Sequence, residues 1–294
     1  MCLSHYCSVR IKPPPTAVLA LAWHPTSPDI LAASLDSGSV AVLELSSIPD
    51  EPSLRVISQD VQKHDFHAWT VAFMPGRPSG ATLEHEDKGE ASTLVSGGDD
   101  AVIHLCSFSD SQLSNLGQAI RHSPLRKIHQ SGVTSLLALP STSAESNEGL
   151  ILTGSFDEHI CLMHLSARTV LAEKKLDGGV WRLRFMENYT TSPGAKQAEE
   201  APFSEPGLSR FLVLACCMEA GARVLEVIRG EDGSWSIAVL GQFVEHQSLT
   251  YGCDVQPRQH GQRGGEAIRG KALTCVTVSF YDRRICVWDF SREA

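Results

Sequence analysis

The feature that most limits what this chain can fold into is a pattern that returns along it. It reads S-G-G-D-D-A-V-I-H-L-C at Ser96–Cys106, T-G-S-F-D-E-H-I-C-L-M at Thr153–Met163 and V-S-F-Y-D-R-R-I-C-V-W-D at Val278–Asp289. Each copy is an apolar strand, a tight turn carrying an aspartate, and a second strand of alternating apolar residues. Asp100, Asp157 and Asp282 each stand three residues before an isoleucine. A weaker copy runs from Ala32 to Leu43 with Asp36 in its turn, and a degenerate one from Leu214 to Leu225 has Glu219 at that place. Repetition of a strand–turn–strand unit predicts sheets that stack on one another, because one such sheet cannot bury both its faces alone.

A further short apolar strand precedes each copy: Leu19–Trp23, Trp69–Phe73, Val133–Leu139, Val180–Phe185 and Tyr251–Val255. His64, His129 and His246 stand just before three of the five. A histidine ahead of the inner strand, an aspartate in the later turn and a closing Trp-Asp form the grammar of WD repeats. Trp288-Asp289 keeps the closing pair, whereas Cys106 and Met163 fill the tryptophan slot elsewhere. The expected fold class is all-β, a WD-repeat β-propeller with five recognisable blades at about 16–60, 64–128, 129–176, 177–246 and 247–294. Residues 1–15, which end in three prolines, are expected to form a segment outside the blades. Stretches 75–92, 186–209 and 256–271 are rich in loop-forming residues and are expected as surface loops.

Composition narrows the function classes. A net charge of −9 without a cluster of lysine and arginine disfavours a nucleic-acid partner. No apolar run reaches the roughly 18 residues of a membrane helix, and the N-terminus lacks the apolar core of a signal peptide. Nine cysteines without C-x-x-C pairs, several of them inside apolar strands, are expected as buried thiols in the cytoplasm. No metal-ligand motif, G-x-S-x-G elbow or phosphate-binding glycine loop is found, so metal and cofactor are both expected to be none.

Several stretches go beyond repeat grammar. They are H-D-F-H-A-W-T-V-A-F at His64–Phe73, T-G-S-F-D-E-H-I at Thr153–Ile160, G-G-V-W-R at Gly178–Arg182, L-A-C-C-M at Leu214–Met218, Y-G-C-D at Tyr251–Asp254 and S-F-Y-D at Ser279–Asp282. In this order they resemble the diphthine methyl ester esterases, WD-repeat proteins of diphthamide biosynthesis (diphthine methyltransferases in older naming). The resemblance runs from about residue 17 to 292 and implies a seven-bladed family fold, of which about two N-terminal blades would be missing here. It also implies hydrolysis of the methyl ester on a modified histidine of elongation factor 2, with release of methanol, by a monomer.

Such a substrate carries a trimethylammonium group, which aromatic faces and carboxylates hold. Trp69, Trp181, Tyr251 and Tyr281 lie at the starts of inner strands or beside a turn aspartate and are expected to bind substrate, with Arg182 facing a carboxylate or an oxyanion. Each tryptophan has packing between blades as its alternative, and Arg182 a salt bridge at the strand edge. Glu158 and His159 follow a turn aspartate, and Asp99 precedes one; these three are the acid/base candidates. Their alternative is a solvated turn. Ser279 and Cys217 have nucleophile chemistry but fall inside strands, and His67 has no assigned role. Fold alone would favour a non-catalytic scaffold that presents a protein-binding face, since architecture does not fix function.

Overall fold

The computed structural model describes residues 7–11, 15–46, 53–74, 91–109, 119–140, 149–191, 208–257 and 272–291. Among them are nineteen strands and no helix. The first sheet runs β1 (Val18–Trp23), β2 (Ile30–Leu35), β3 (Ser39–Ser46) and β4 (Ser53–Lys63), each paired with the next in the chain. The second repeats that order with β5 (Thr70–Met74), β6 (Ala91–Gly97), β7 (Ile103–Ser109) and β8 (Ile120–Arg121). The third holds β9 (Val133–Ala138), β10 (Leu150–Ser155), β11 (His159–His164) and β12 (Thr169–Lys175). The fourth holds β13 (Arg182–Thr191), β14 (Leu208–Cys216), β15 (Ala222–Arg229) and β16 (Trp235–Phe243). β17 (Thr250–Val255), β18 (Leu273–Ser279) and β19 (Ile285–Phe290) form a three-stranded sheet. Antiparallel meanders repeated in this way are the blades of a WD-repeat β-propeller, the expected fold class.

By contacts the chain divides into two units, residues 1–157 with 162–170, and residues 158–161 with 171–294. The first unit has a core in which Ile30, Ala32, Val40, Val42 and Val61 meet Val71, Phe73, Leu94 and Phe108 from the second sheet. Both faces of β2 are buried, because the other face, with Leu31, Ala33 and Leu35, packs in a second cluster with Ala41 and Leu43. In the second unit Leu212, Leu214, Cys216 and Val224 pack against Cys253, Leu273 and Cys275. Burial on both faces explains why these central strands read as apolar runs, without the alternation of a half-exposed sheet.

The repeated histidines and aspartates lock three of the sheets. His64 donates from Nδ1 to Asp100 at 2.9 Å and accepts from the Ser96 hydroxyl at Nε2, 2.8 Å away. His129 does the same with Asp157 at 3.1 Å and Thr153 at 2.8 Å. In the last sheet Ser279 stands between, accepting from His246 Nδ1 at 2.8 Å and donating to Asp282. There Thr277 bonds His246 Nε2 at 2.8 Å and accepts from the Trp288 indole at 3.2 Å. Cys106 and Met163, which replace that tryptophan elsewhere, are fully buried apolar filler. Burial opposes ionisation of Asp100, yet the His64 hydrogen bond and charge, with the N–H groups of Asp65 and Val102, outweigh it and hold the carboxyl below its ordinary range.

Two expectations change. Residues 186–191 and 208–209 were expected within a loop, but they continue the β13–β14 ladder from Glu187↔Leu212 to Thr191↔Leu208. Tyr189, Thr190 and Thr191 favour extended backbone, and a bulge at Phe185/Glu187 absorbs the irregular spacing. Ala91 and Ser92 likewise open β6. The centres of the three expected loops, 75–90, 192–207 and 258–271, lie outside the described residues, as do most of residues 1–15.

Removing a lock histidine takes one partner from a buried hydroxyl and from a largely buried carboxylate. His129→Ala is expected to lower unfolding free energy by roughly 2–3 kcal/mol, read from urea denaturation, with the spectrum of a β-sheet protein retained. His104 gives a pH dependence. Burial first, and then the His64 charge, push its imidazole from 6.5 down to about 4. The unfolded chain therefore binds the proton more readily, and this stability is full above 6.5 and is lost as pH falls towards about 4. The urea midpoint should drop between pH 7 and pH 4.5 (roughly, the span of an imidazole titration), and His104→Leu should flatten part of that drop.

Candidate functional site

Among the described residues outside the locks, one group of polar and aromatic side chains in each unit holds the expected site residues. In the first unit, the segment between His64 and β5 carries His67 and Trp69. Residues two apart in extended chain project to the same side, and the two rings stack with centroids 5.2 Å apart at 17°. Asp99 sits beneath them in the β6–β7 turn. Its Oδ1 accepts from the Trp69 indole N–H, and its Oδ2 from His67 Nδ1 at 3.1 Å. The Asp99 N–H also donates to the His67 carbonyl at 3.0 Å. This crossing needs Gly98, because a Cβ there would come within 2.6 Å of the His67 carbonyl and 2.7 Å of His64 Nδ1. Phe156 meets the edge of Trp69 at 6.2 Å. Asp99 and Asp100 are neighbours with opposite tasks: Asp100 turns inward to the lock, and Asp99 outward to an imidazole whose side chain is 48% exposed.

In the second unit, Trp181 and Tyr251 meet edge to face at 5.2 Å, Tyr251 meets Phe280 at 6.3 Å, and Phe280 meets Tyr281 at 5.2 Å. Successive rings are nearly perpendicular, at 71°, 79° and 87°. Phe280 and Tyr281 are 69% and 68% exposed. Backbone bonds position the rings. Trp181 donates its N–H to the Cys216 carbonyl at 2.9 Å, Thr250 to Met218 at 3.0 Å, and Tyr281 to the Ser248 hydroxyl at 3.1 Å. Gly178 lets the preceding loop lie on the β14–β15 turn, where a Cβ would reach 2.3 Å from the Cys217 carbonyl. Burial, and after it Tyr281 and Glu219, raise the Tyr251 phenol above its ordinary range.

Arg182 opens β13 beside Trp181, with Cys216 and Cys253 as neighbours. Burial and the charge of Arg184 lower its pKa, and among the described residues its side chain makes no hydrogen bond or ion pair. The salt-bridge alternative for this residue therefore finds no partner among the described residues.

The remaining candidates sit differently. Glu158 occupies a left-handed turn position (φ 69°) shared by Ala101 and Arg283 in the other copies. From there its carboxylate pairs with Lys175 on β12 at 3.0 Å. That contact raises the lysine's pKa through its hydrogen bond and charge. His159, expected beside Glu158 as an acid/base pair, opens β11 and faces Glu173 at 3.6 Å instead. Adjacent strand and turn residues diverge, so the two side chains do not act on one another. Ser279 belongs to the lock. It lies between His246 and Asp282, which is the wrong order for a serine nucleophile. Cys217 is fully buried, and burial pushes its thiol up to about 12. His64, Asp100 and His104 are close enough to hold a metal ion, but both His64 nitrogens are already engaged by Asp100 and Ser96. The H-x-W spacing and the Asp-Asp doublet were the available signals for His67; Phe156 and Phe280 had none beyond their places next to turn residues.

No family model matches the chain. Among curated proteins, one from the fission yeast Schizosaccharomyces pombe, named diphthine methyltransferase, is 30% identical over 263 residues, covering 88% of this chain and 60% of its own length. Proteins of the same name from Homo sapiens and Mus musculus are 27% and 28% identical over 75% and 65% of this chain. By sequence, this chain is similar to proteins named diphthine methyltransferase. The resemblance carried by the motifs is borne out by these three. The chain spans 60%, 39% and 31% of the lengths of these diphthine methyltransferases. Among solved structures, a chain of the mitotic checkpoint complex superposes with a TM-score of 0.54 over 94% of this chain and 62% of its own, at 14% identity, a likeness of fold.

If Arg182 serves a ligand and does not hold the fold, removing its charge should cost no stability. Arg182→Met is expected to unfold within about 0.5 kcal/mol of the unsubstituted chain, or above it, because an unpaired, half-buried cation is replaced by an apolar stem of similar length. Thermal denaturation of both proteins checks this.

Proposed function

We propose that this chain acts in diphthamide biosynthesis as a carboxylic ester hydrolase, removing the methyl group from methylated diphthine on elongation factor 2 and releasing methanol. The similarity to proteins named diphthine methyltransferase along most of the chain carries this reading. The chemistry of the two side-chain clusters supports it.

A trimethylammonium group has no N–H to donate, so aromatic faces hold it, each contact worth about 0.5–2 kcal/mol. The perpendicular rings of Trp181, Tyr251, Phe280 and Tyr281 offer such faces. Arg182, without a protein partner among the described residues, suits a carboxylate or the oxyanion of a tetrahedral intermediate. Trp69 and Asp99 are the corresponding aromatic and acidic groups of the first unit. Glu158 and His159 fit acid/base work less well, being engaged with Lys175 and Glu173. The eight cysteines among the described residues are free, which suits a reducing cytoplasm. Among those residues no helix is long and apolar enough to cross a membrane. The substrate is a protein, so a docking face is needed in addition to the side chains named.

The test is to incubate the purified chain with elongation factor 2 bearing methylated diphthine and to follow the mass of the modified peptide. Hydrolysis removes the mass of one CH₂ and yields methanol in equal amount. Trp181→Ala should raise KM on the order of 10-fold, the value of one cation–π contact. Binding of a well-folded chain to elongation factor 2 without loss of the methyl group would replace this reading with a non-catalytic scaffold.

A further inference from the structure

We propose that His67 is the proton acceptor of this hydrolysis and that Asp99 is its positioning residue; the assignment rests on the hydrolase reading above.

Among the described histidines, His67 combines three properties. Its side chain is 48% exposed, its Nδ1 is 3.1 Å from a carboxylate oxygen, and no described residue bonds its Nε2. The others lack at least one. His64, His129 and His246 are held at both nitrogens. His24 is buried, with Ser92 on one nitrogen and the Ser27 N–H on the other. Burial pushes the His104 and His122 imidazoles down, and the His164 Nδ1 accepts from the Ala167 N–H. His159 faces Glu173 through Nε2, the atom a base must keep open.

The tautomer follows from the geometry. With the Nδ1 proton donated to Asp99 Oδ2, the Nε2 lone pair is the basic one. Trp69 fixes the arrangement twice, stacking on the imidazole and donating its indole N–H to the other Asp99 oxygen. Both oxygens of Asp99 are thereby committed to neighbours, so the carboxylate orients and the imidazole reacts.

The step balances. Water attacks the ester carbonyl carbon as His67 Nε2 takes one of its protons, giving a tetrahedral oxyanion. The oxyanion collapses, the bond from carbon to the methoxy oxygen breaks, and the imidazolium returns its proton to the departing methoxide as methanol. The new carboxylic acid loses its proton to solvent. Methylation of the same carboxylate would need no such base, since the carboxylate is already the nucleophile. An oriented imidazole therefore favours hydrolysis.

The experiment measures kcat, KM and the pH profile on methylated elongation factor 2 for the unsubstituted chain, His67→Gln, His67→Ala and Asp99→Asn, with thermal midpoints confirming that each variant folds. The unsubstituted chain is expected to lose activity on acidification as one group protonates. His67→Gln should lower kcat about 100-fold or more with KM little changed, and should abolish that acid limb. Added imidazole should restore part of the rate of His67→Ala, which a purely structural role would not allow. Asp99→Asn should lower kcat while KM and fold persist. An active chain whose folded His67→Gln variant keeps its rate and its acid limb would overturn this assignment alone. An inactive unsubstituted chain would overturn the hydrolase reading and this assignment with it.

Discussion

The hydrogen-bond chain from a turn aspartate through a histidine to a serine or threonine is what the rest of the structure depends on. It joins three segments of one blade: the approach to the inner strand, the second strand, and the turn after it. In two of its three copies the imidazole is fully buried, so each link is worth more than on the surface, and a missing link leaves a desolvated polar group. The last copy inserts Ser279 between His246 and Asp282 and keeps Trp288 as the terminal donor. One geometry thus survives changes of chemistry, provided that every donor still finds an acceptor.

Because the lock fixes the turn so firmly, residues next to it acquire fixed directions without taking part. Asp99 precedes the lock aspartate by one residue and is carried outward by it. There Asp99 meets His67 and Trp69, themselves fixed because they follow the lock histidine. The same logic places Tyr281 and Phe280 beside Asp282, and Glu158 after Asp157. Preorganisation at these positions comes from the backbone framework, which is why partly exposed side chains can hold a defined geometry.

Repeat grammar made the fold legible in the sequence. The histidine ahead of the inner strand and the aspartate in the later turn encode a direct contact in His64–Asp100 and His129–Asp157, and one bridged by Ser279 in His246–Asp282. The candidate site was legible in type and less so in pairing. Trp181 and Tyr251 were expected to face ligand, and their ring contact was not deducible, since it depends on the loops that bring β13 and β17 together. Glu158 and His159 looked like a couple because they are adjacent in sequence. A left-handed turn residue followed by the first strand residue sends them to different partners, and periodicity cannot report that. His67 was passed over because its partner, Asp99, lies 32 residues away, and nothing local announces the bond.

The fourth sheet shows how one structural device can stand in for another. Its turn carries Glu219 in place of aspartate, and no histidine stands ahead of its inner strand. Lock chemistry is therefore absent from this blade, yet among the described residues the sheet is the most extensively paired of the five. Its strands have ten, nine, eight and nine residues, and the β13–β14 ladder continues to Thr191↔Leu208. Longer ladders and the apolar cluster around Leu214, Cys216 and Val224 do what a buried hydrogen-bond chain does elsewhere. Relief from the lock frees the turn at Met218–Gly221 for other contacts. It accepts the N–H of Thr250, supports the loop carrying Gly178, and leaves the Glu219 charge close enough to act on Tyr251. The blade that departs furthest from the repeat is thus the one whose surroundings hold the aromatic cluster.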